Sequence, residues 1–145
     1  MYKVLLVDDE YMITEGLKRL IPFEKWDMEV VATANHADDA LDYVREHPVD
    51  VVISDVNMPD KTGLEMIGEM KELLPDAYYI LLSGYQEFDY VKKAMNLNVV
   101  DYLVKPVDKV ELEHLLEKIL GQLREKVHEP EMLSQKLDDE AFKAH

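Results

Sequence analysis

Five residues of complementary chemistry close the short apolar runs of this chain. Asp8 and Asp9 follow Val4-Leu5-Leu6-Val7, Asp55 follows Val51-Val52-Ile53-Ser54, Ser83 follows Tyr79-Ile80-Leu81-Leu82, and Lys105 follows a run ending at Val104. Three nearby carboxylates repel one another, so a cation is needed to neutralise them. Oxygen donors without His or Cys favour Mg2+, with Mn2+ as a substitute, and Mg2+ keeps waters and phosphate oxygens among its ligands. A carboxylate can attack phosphorus to give an aspartyl phosphate. The transferring group spreads its charge over three equatorial oxygens. The metal, the Lys105 ammonium and the Ser83 hydroxyl would each hold one of them. Loop polarity explains any one of these residues; it does not explain five that converge.

Convergence requires a scaffold. Lys3–Val7, Met28–Ala32, Asp50–Ser54, Tyr78–Leu82 and Val99–Val104 are β-branched-rich apolar runs. Three are continuous rather than alternating, the mark of strands buried on both faces of a parallel sheet. Helical patterns separate them: Ile13, Leu17 and Leu20; Ala40, Leu41 and Val44; Leu64, Ile67 and Met70; Phe88, Val91 and Met95; and Leu112, Leu115, Leu116 and Ile119. Strict alternation predicts an α/β fold, a (βα)5 flavodoxin-like three-layer sandwich around a parallel five-stranded sheet of order 2-1-3-4-5. That order puts the ligand crevice at the carboxyl ends of the first and third strands, where the five polar residues fall.

Local signals set some of the boundaries. Asn35 is the expected cap of the second helix, Thr62-Gly63-Leu64-Glu65 reads as a capping box, and Asp108 to Glu111 is a similar arrangement. Glu10 reads as a first-turn acid favoured by the helix dipole. Glu129-Pro130 is expected to break the last helix. The organisation expected is one domain over 1–121, then an acidic linker or a helical or frayed tail over 122–145.

Composition narrows the function. The 145 residues carry 48% hydrophobic and 32% charged side chains, a globular balance. Cysteine is absent, which excludes disulfides and thiolate metal sites. No apolar run would span a bilayer and the N-terminus does not read as a signal peptide, so a cytoplasmic protein without membrane contact is expected. A net charge of −15 argues against direct nucleic-acid contact by this segment.

Four motifs, VLLVDDE (4–10), VVISDVNMPDKTGLEMI (51–67), LLSGY (81–85) and DYLVKPV (101–107), in this order and spacing, resemble the receiver domain of two-component response regulators. The resemblance covers about Met1 to Leu120 and implies a role for each matching residue. Asp55 would be the phosphoacceptor, charged by a sensor histidine kinase or a small phosphodonor. Asp9 would bind Mg2+ directly, Asp8 largely through water, and Asp55 and the backbone carbonyl of Asn57 would complete the protein's ligands. Lys105 and Ser83 would stabilise the phosphoryl group, and Lys105–Pro106 would be a cis peptide. Ser83 and Tyr102 would form the switch, acting on a face of fourth helix, fifth strand and fifth helix that serves for dimerisation in the family. Bland readings stand beside these: Tyr102 as plain core, Ser83 as a turn hydroxyl, Pro59 and Gly63 as residues of loop shape, and Glu111-x-x-His114 as a solvated helix face.

Two features set the chain apart within that resemblance. Ile21–Met28 lengthens the first helix–strand connection and carries Trp26, which is expected to pack over the lower sheet edge. With Gly84 to Tyr90 it resembles receivers attached to AraC-type helix-turn-helix outputs. Such an output would make the chain the control domain of a transcription factor; without one it would be a stand-alone receiver or phosphorelay protein. The receiver reading makes the chain a phosphoacceptor with slow self-dephosphorylation rather than an enzyme. Haloacid-dehalogenase-type phosphatases share the Asp, Mg2+, Ser/Thr and Lys, but their nucleophile lies on the first strand and their acidic pair late, the reverse of this order. A flavin binder would need a phosphate cradle where Asp8-Asp9-Glu10 would repel phosphate.

Overall fold

The continuous apolar runs become strands whose alternate side chains enter two separate cores. A computed structural model of the chain describes residues 1–84 and 101–140, with side chains described as far as Glu125. In chain order the elements are β1 (Tyr2–Val7), α1 (Tyr11–Leu20), a 3-10 turn (Phe23–Trp26), β2 (Met28–Ala34), α2 (Ala37–Glu46), β3 (Val51–Asp55), α3 (Gly63–Leu73), β4 (Tyr78–Ser83), β5 (Asp101–Val104) and α4 (Lys109–Glu140). The helical pattern of Phe88, Val91 and Met95 lies outside the described residues, as do Val99 and Val100 of the fifth run. All strand pairs are parallel and the sheet order is β2-β1-β3-β4-β5, as the alternation of strand and helix predicts.

Side-chain alternation along each strand divides the layers. Val4 and Leu6, Val51 and Ile53, and Ile80 and Leu82 pack on one side with Leu17 of α1 and Leu112, Leu116 and Ile119 of α4. Leu5 and Val7, Val52, and Tyr79 and Leu81 pack on the other with Leu41 and Val44 of α2 and Ile67 and Met70 of α3. Covering both faces is what makes the strands uniformly apolar.

Four local expectations need revision or detail. Leu20 is 41% exposed and Thr14 takes a buried place on α1 instead, because its hydroxyl donates to the Tyr11 carbonyl at 3.0 Å. Asn35 does not cap α2; the cap position is His36, and the free amides of Ala37 and Asp38 are met by Asp60 from another loop. Trp26 is half-buried in the 3-10 turn and packs against the α1/α4-side core. The turn ends at Asp27, at φ 55°, whose carbonyl accepts from Tyr2 N at 2.7 Å. Last, α4 continues through Glu129-Pro130 to Glu140, where a break was expected. Proline's fixed φ is compatible with helical backbone, so the residue costs one backbone bond without ending the helix. Upstream, Leu123 is buried in the α1/α4-side core.

The capping box opening α3 forms in full, with Glu65 N donating to Thr62 Oγ1 at 3.1 Å and Thr62 N to Glu65 Oε1 at 3.0 Å. Asp108 likewise accepts from Glu111 N at 3.1 Å to open α4. Losing a hydroxyl cap costs about 1 kcal/mol. Thr62→Ala is therefore expected to lower the urea midpoint with the slope unchanged; an unaltered midpoint would contradict this account of the α3 start.

Candidate phosphoacceptor site

Strand register assembles the site. Val7 pairs with Ser54, so Asp8 and Asp55 are the next residues on neighbouring strands. Asp55 pairs with Leu82, and Ser83 pairs with Val104, so Ser83 and Lys105 extend the same edge. Backbone bonds continue the pairing past the strand ends: Asp8 N to Ala34 O at 3.0 Å, Val56 N to Leu82 O at 3.0 Å, and Lys105 N to Ser83 O at 2.7 Å. The chain steps outward from β1 to β2 and then back past β1 to β3, and the crevice lies at this reversal, between β1 and β3.

The charged groups meet there. Lys105 Nζ lies 3.0 Å from Asp55 Oδ1 and 3.5 Å from Asp8 Oδ2. Asp8 and Asp55 are buried, at 1% and 6% exposure, so neither charge is screened by bulk water. Asp8 Oδ1 accepts from Glu10 N at 2.9 Å. Burial pushes the Asp8 carboxyl up to about 6; the charge of Asp55 adds to this, while the Glu10 amide and Lys105 oppose it. Burial alone would lower the Lys105 ammonium, but its bonds and charge contacts with Asp55 and Asp8 outweigh this and hold it above the usual lysine range.

Asp8, Asp9 and Glu10 place carboxylate oxygens within 4.8 Å of one another. Glu10 was expected to serve only the helix dipole; it stands at the N-cap position of α1 without a side-chain cap bond, and its carboxylate joins the acidic group. The signal was its place directly after two acids. An all-oxygen set around a buried carboxyl of raised pKa fits a hard divalent cation, which would relieve the crowding. Asn57 is exposed on the β3–α3 loop.

Ser83 Oγ is fully buried and has no hydrogen-bond partner among the described residues. A buried hydroxyl without a partner costs about 1–3 kcal/mol, so the site has an unmet donor beside its carboxylate–lysine pair. Tyr102 is half-buried on β5 and packs against the α2/α3-side core. The Lys105–Pro106 peptide is cis, as the motif resemblance implies. Gly63 is a matter of space: its amide donates to Val56 O at 2.7 Å, and a Cβ there would run into the Asp55 carbonyl. Glu111 and His114 are both exposed on α4.

Comparison with known proteins agrees with this edge. Residues 4–117 match the response regulator receiver domain. The chain belongs to that family. An uncharacterized response regulatory protein of Staphylococcus epidermidis is 41% identical over 128 residues, covering 88% of this chain and 50% of that protein. The transcriptional regulatory protein HptR of Staphylococcus aureus is 38% identical over 125 residues, covering 86% and 49%. This receiver chain thus spans about half the length of the curated relatives it matches. Among solved structures, the REC domain of AraT, a response regulator from Geobacillus stearothermophilus, superposes with a TM-score of 0.82 at 38% identity, covering 86% of this chain and 97% of that one. A two component transcriptional regulator AraC from Clostridium phytofermentans gives 0.80 at 28% identity, with the same coverage. Receiver domains generally bind Mg2+ at an acidic pocket, and this receiver has an acidic group at Asp8, Asp9 and Glu10.

The crowding has a pH signature. The Asp8 carboxyl titrates higher in the fold than its ordinary value of 3.8, so its ionisation weakens the metal-free fold. Stability should therefore fall as pH rises from about 4 to about 6 on this account, with the full penalty present above that window. Asp8→Asn removes the penalty. In chelator it is expected to melt higher than wild type at about pH 7 and nearly equal at about pH 4; a lower melting temperature at the higher pH would refute the electrostatic account.

Proposed function

We propose that this receiver accepts a phosphoryl group on Asp55 from the phosphohistidine of a sensor histidine kinase, in a Mg2+-dependent reaction. The observation that carries the reading is the ion pair between buried Asp55 and half-buried Lys105 at 3.0 Å. Lys105 engages Oδ1 of Asp55 and leaves the other carboxylate oxygen to attack phosphorus. The phosphorus–nitrogen bond of the donor breaks, the oxygen–phosphorus bond to Asp55 forms, and the imidazole leaves with a proton. Lys105 then holds a phosphoryl oxygen, and the Ser83 hydroxyl donates to another. Asp8, Asp9, Asp55 and the Asn57 carbonyl would hold the metal, with Glu10 adding to the local negative charge. Bound there, Mg2+ or Mn2+ supplies positive charge that offsets the crowded carboxylates and the incoming phosphate. The chain is changed by its own reaction and turns over only through slow loss of its phosphoryl group, so we do not class it as an enzyme.

Satisfying Ser83 shifts a two-state equilibrium in which Tyr102 reports the change. The responding face includes β5 and α4, where Val104 and Val110 are 38% and 59% exposed, and it suits a phosphorylation-dependent homodimer. The output is transcriptional control through an AraC-type DNA-binding domain; support comes from relatives twice as long and from the names of HptR and the AraC regulator. This acidic segment makes no nucleic-acid contact itself. A kinase fed by ATP places the reaction in the cytoplasm, and no described helix is long and apolar enough to cross a membrane.

Two measurements test the reading. Asp55→Asn is expected to abolish Mg2+-dependent phosphorylation by acetyl phosphate and binding of beryllofluoride; retention of both would sink the assignment. The donor protein must also reach this edge. Tyr11 and Met12, 60% and 80% exposed, stand at the start of α1, and a groove of about 320 Å3 runs from Met12 to Lys105, Pro106 and Val107. Met12→Asp is expected to slow transfer from the kinase roughly tenfold, the scale of a central interface residue, with phosphorylation by acetyl phosphate retained. Equal loss with both donors would show that Met12 serves the fold rather than the donor.

A further inference from the structure

We infer that Asp60 is a positioning residue for phosphotransfer, its carboxylate gripped by the first two amides of α2 so that the loop carrying Asn57 is held at the site. The inference rests on the phosphoacceptor reading above. Both oxygens of Asp60 are engaged, Oδ1 by Ala37 N at 3.1 Å and Oδ2 by Asp38 N at 2.9 Å. Two bonds fix rotation as well as position. Helix starts leave such amides unpaired, and the dipole there favours an anion. The cap residue of α2, His36, offers no side-chain bond of its own, so Asp60 supplies it from the β3–α3 loop. Burial would raise the Asp60 carboxyl, but bonds from the Asp38, Ala37 and local amides outweigh this and keep it below its ordinary value.

The neighbouring contacts point the same way. Lys61 bridges Asp38 of α2 at 3.2 Å and Glu69 of α3 at 2.6 Å. The base of the loop is closed by Val56 N to Leu82 O and Gly63 N to Val56 O, whereas Asp60 and Lys61 fasten its outer part to α2. The segment that receives Asp60 also registers the other arm of the site. Asp8 N donates to Ala34 O, three residues before Ala37. The β2–α2 turn therefore holds the Asp8 loop on one side and the Asp55 loop on the other. Releasing Asp60 frees Asn57 relative to Asp8 and Asp9, which weakens metal capture more than the chemistry that follows it.

A helix cap with no such role would lower stability alone, so the test separates the two. Mg2+ titrations of the full chain, followed by amide chemical shifts, give its dissociation constant in wild type, Asp60→Ala, Asp60→Asn and Asp42→Gly. Asp42 is an exposed α2 residue away from the loop, and glycine there weakens the helix to a similar extent. Asp60→Ala is expected to raise the constant about fivefold (about 1 kcal/mol at 1.4 kcal/mol per tenfold, the scale of a lost cap). Its phosphorylation rate by acetyl phosphate at saturating Mg2+ should stay within about twofold of wild type, a split that marks lost binding rather than lost chemistry. Asp60→Asn keeps one oxygen acceptor and should fall between; it decides the matter if the alanine variant does not fold. Asp42→Gly should lower the melting temperature and leave the constant unchanged. Wild-type affinity in both Asp60 variants, or an equal shift in Asp42→Gly, overturns the inference. Wild type that binds Mg2+ yet takes no phosphoryl group would overturn the phosphoacceptor reading instead, and the affinity comparison would still decide the role of Asp60.

Discussion

Burial of two carboxylates, Asp8 and Asp55, against the one half-buried Lys105 ammonium is the constraint on which this structure depends. Taking ions out of water costs several kcal/mol each unless a partner is close and well placed. One ammonium, 3.0 Å from Asp55 and 3.5 Å from Asp8, serves two carboxylates and leaves Asp8 under strain, with its carboxyl pushed up to about 6. Such a balance needs dry walls and an exact register. The walls are the two side-chain layers, which cover both faces of β1 and β3. The register is the parallel pairing that makes Asp8 and Asp55 adjacent and sets Ser83 beside Val104. A slip of one residue would turn every one of these side chains to the opposite face.

That dependence explains what could be read from the residues in order. Strands buried on both faces need unbroken β-branched runs, so β1, β3 and β4 announce themselves. In a parallel sheet every strand ends at the same edge, so a polar residue closing a run is already placed. Asp8, Asp55, Ser83 and Lys105 were legible for that reason. The cap of α2 was not. Local spacing pointed to Asn35, while the group that binds the amides is Asp60, more than twenty positions away and visible only once the loops are packed. Leu20 follows the α1 apolar period but is 41% exposed, while Leu17 before it and Ile21 after it fill the core at this end of the helix. Glu10 was assigned by its nearness to a helix start; its meeting with Asp8 and Asp9 depends on the turn that the Asp8 side chain makes with the Glu10 amide.

The site is also incomplete in two complementary ways, and this bears on how a small chemical change can move a surface. Asp8 is ionised at a cost, and Ser83 is a buried donor with no acceptor among the described residues. On the proposed reading a cation would answer the first and a phosphoryl oxygen the second. A hydroxyl satisfied in only one of two arrangements biases them by about 1–3 kcal/mol, which corresponds to a roughly five- to 150-fold shift in their populations. No long chain of side chains is needed to carry that bias outward. Ser83 lies on β4, and its pairing partner on β5 is Val104, which is 38% exposed. A rearrangement that brings Ser83 toward the Asp55–Lys105 edge therefore acts one strand away from solvent. On the proposed reading, a switch so placed would need only a hydroxyl that gains its acceptor and a thin edge of sheet between it and a partner.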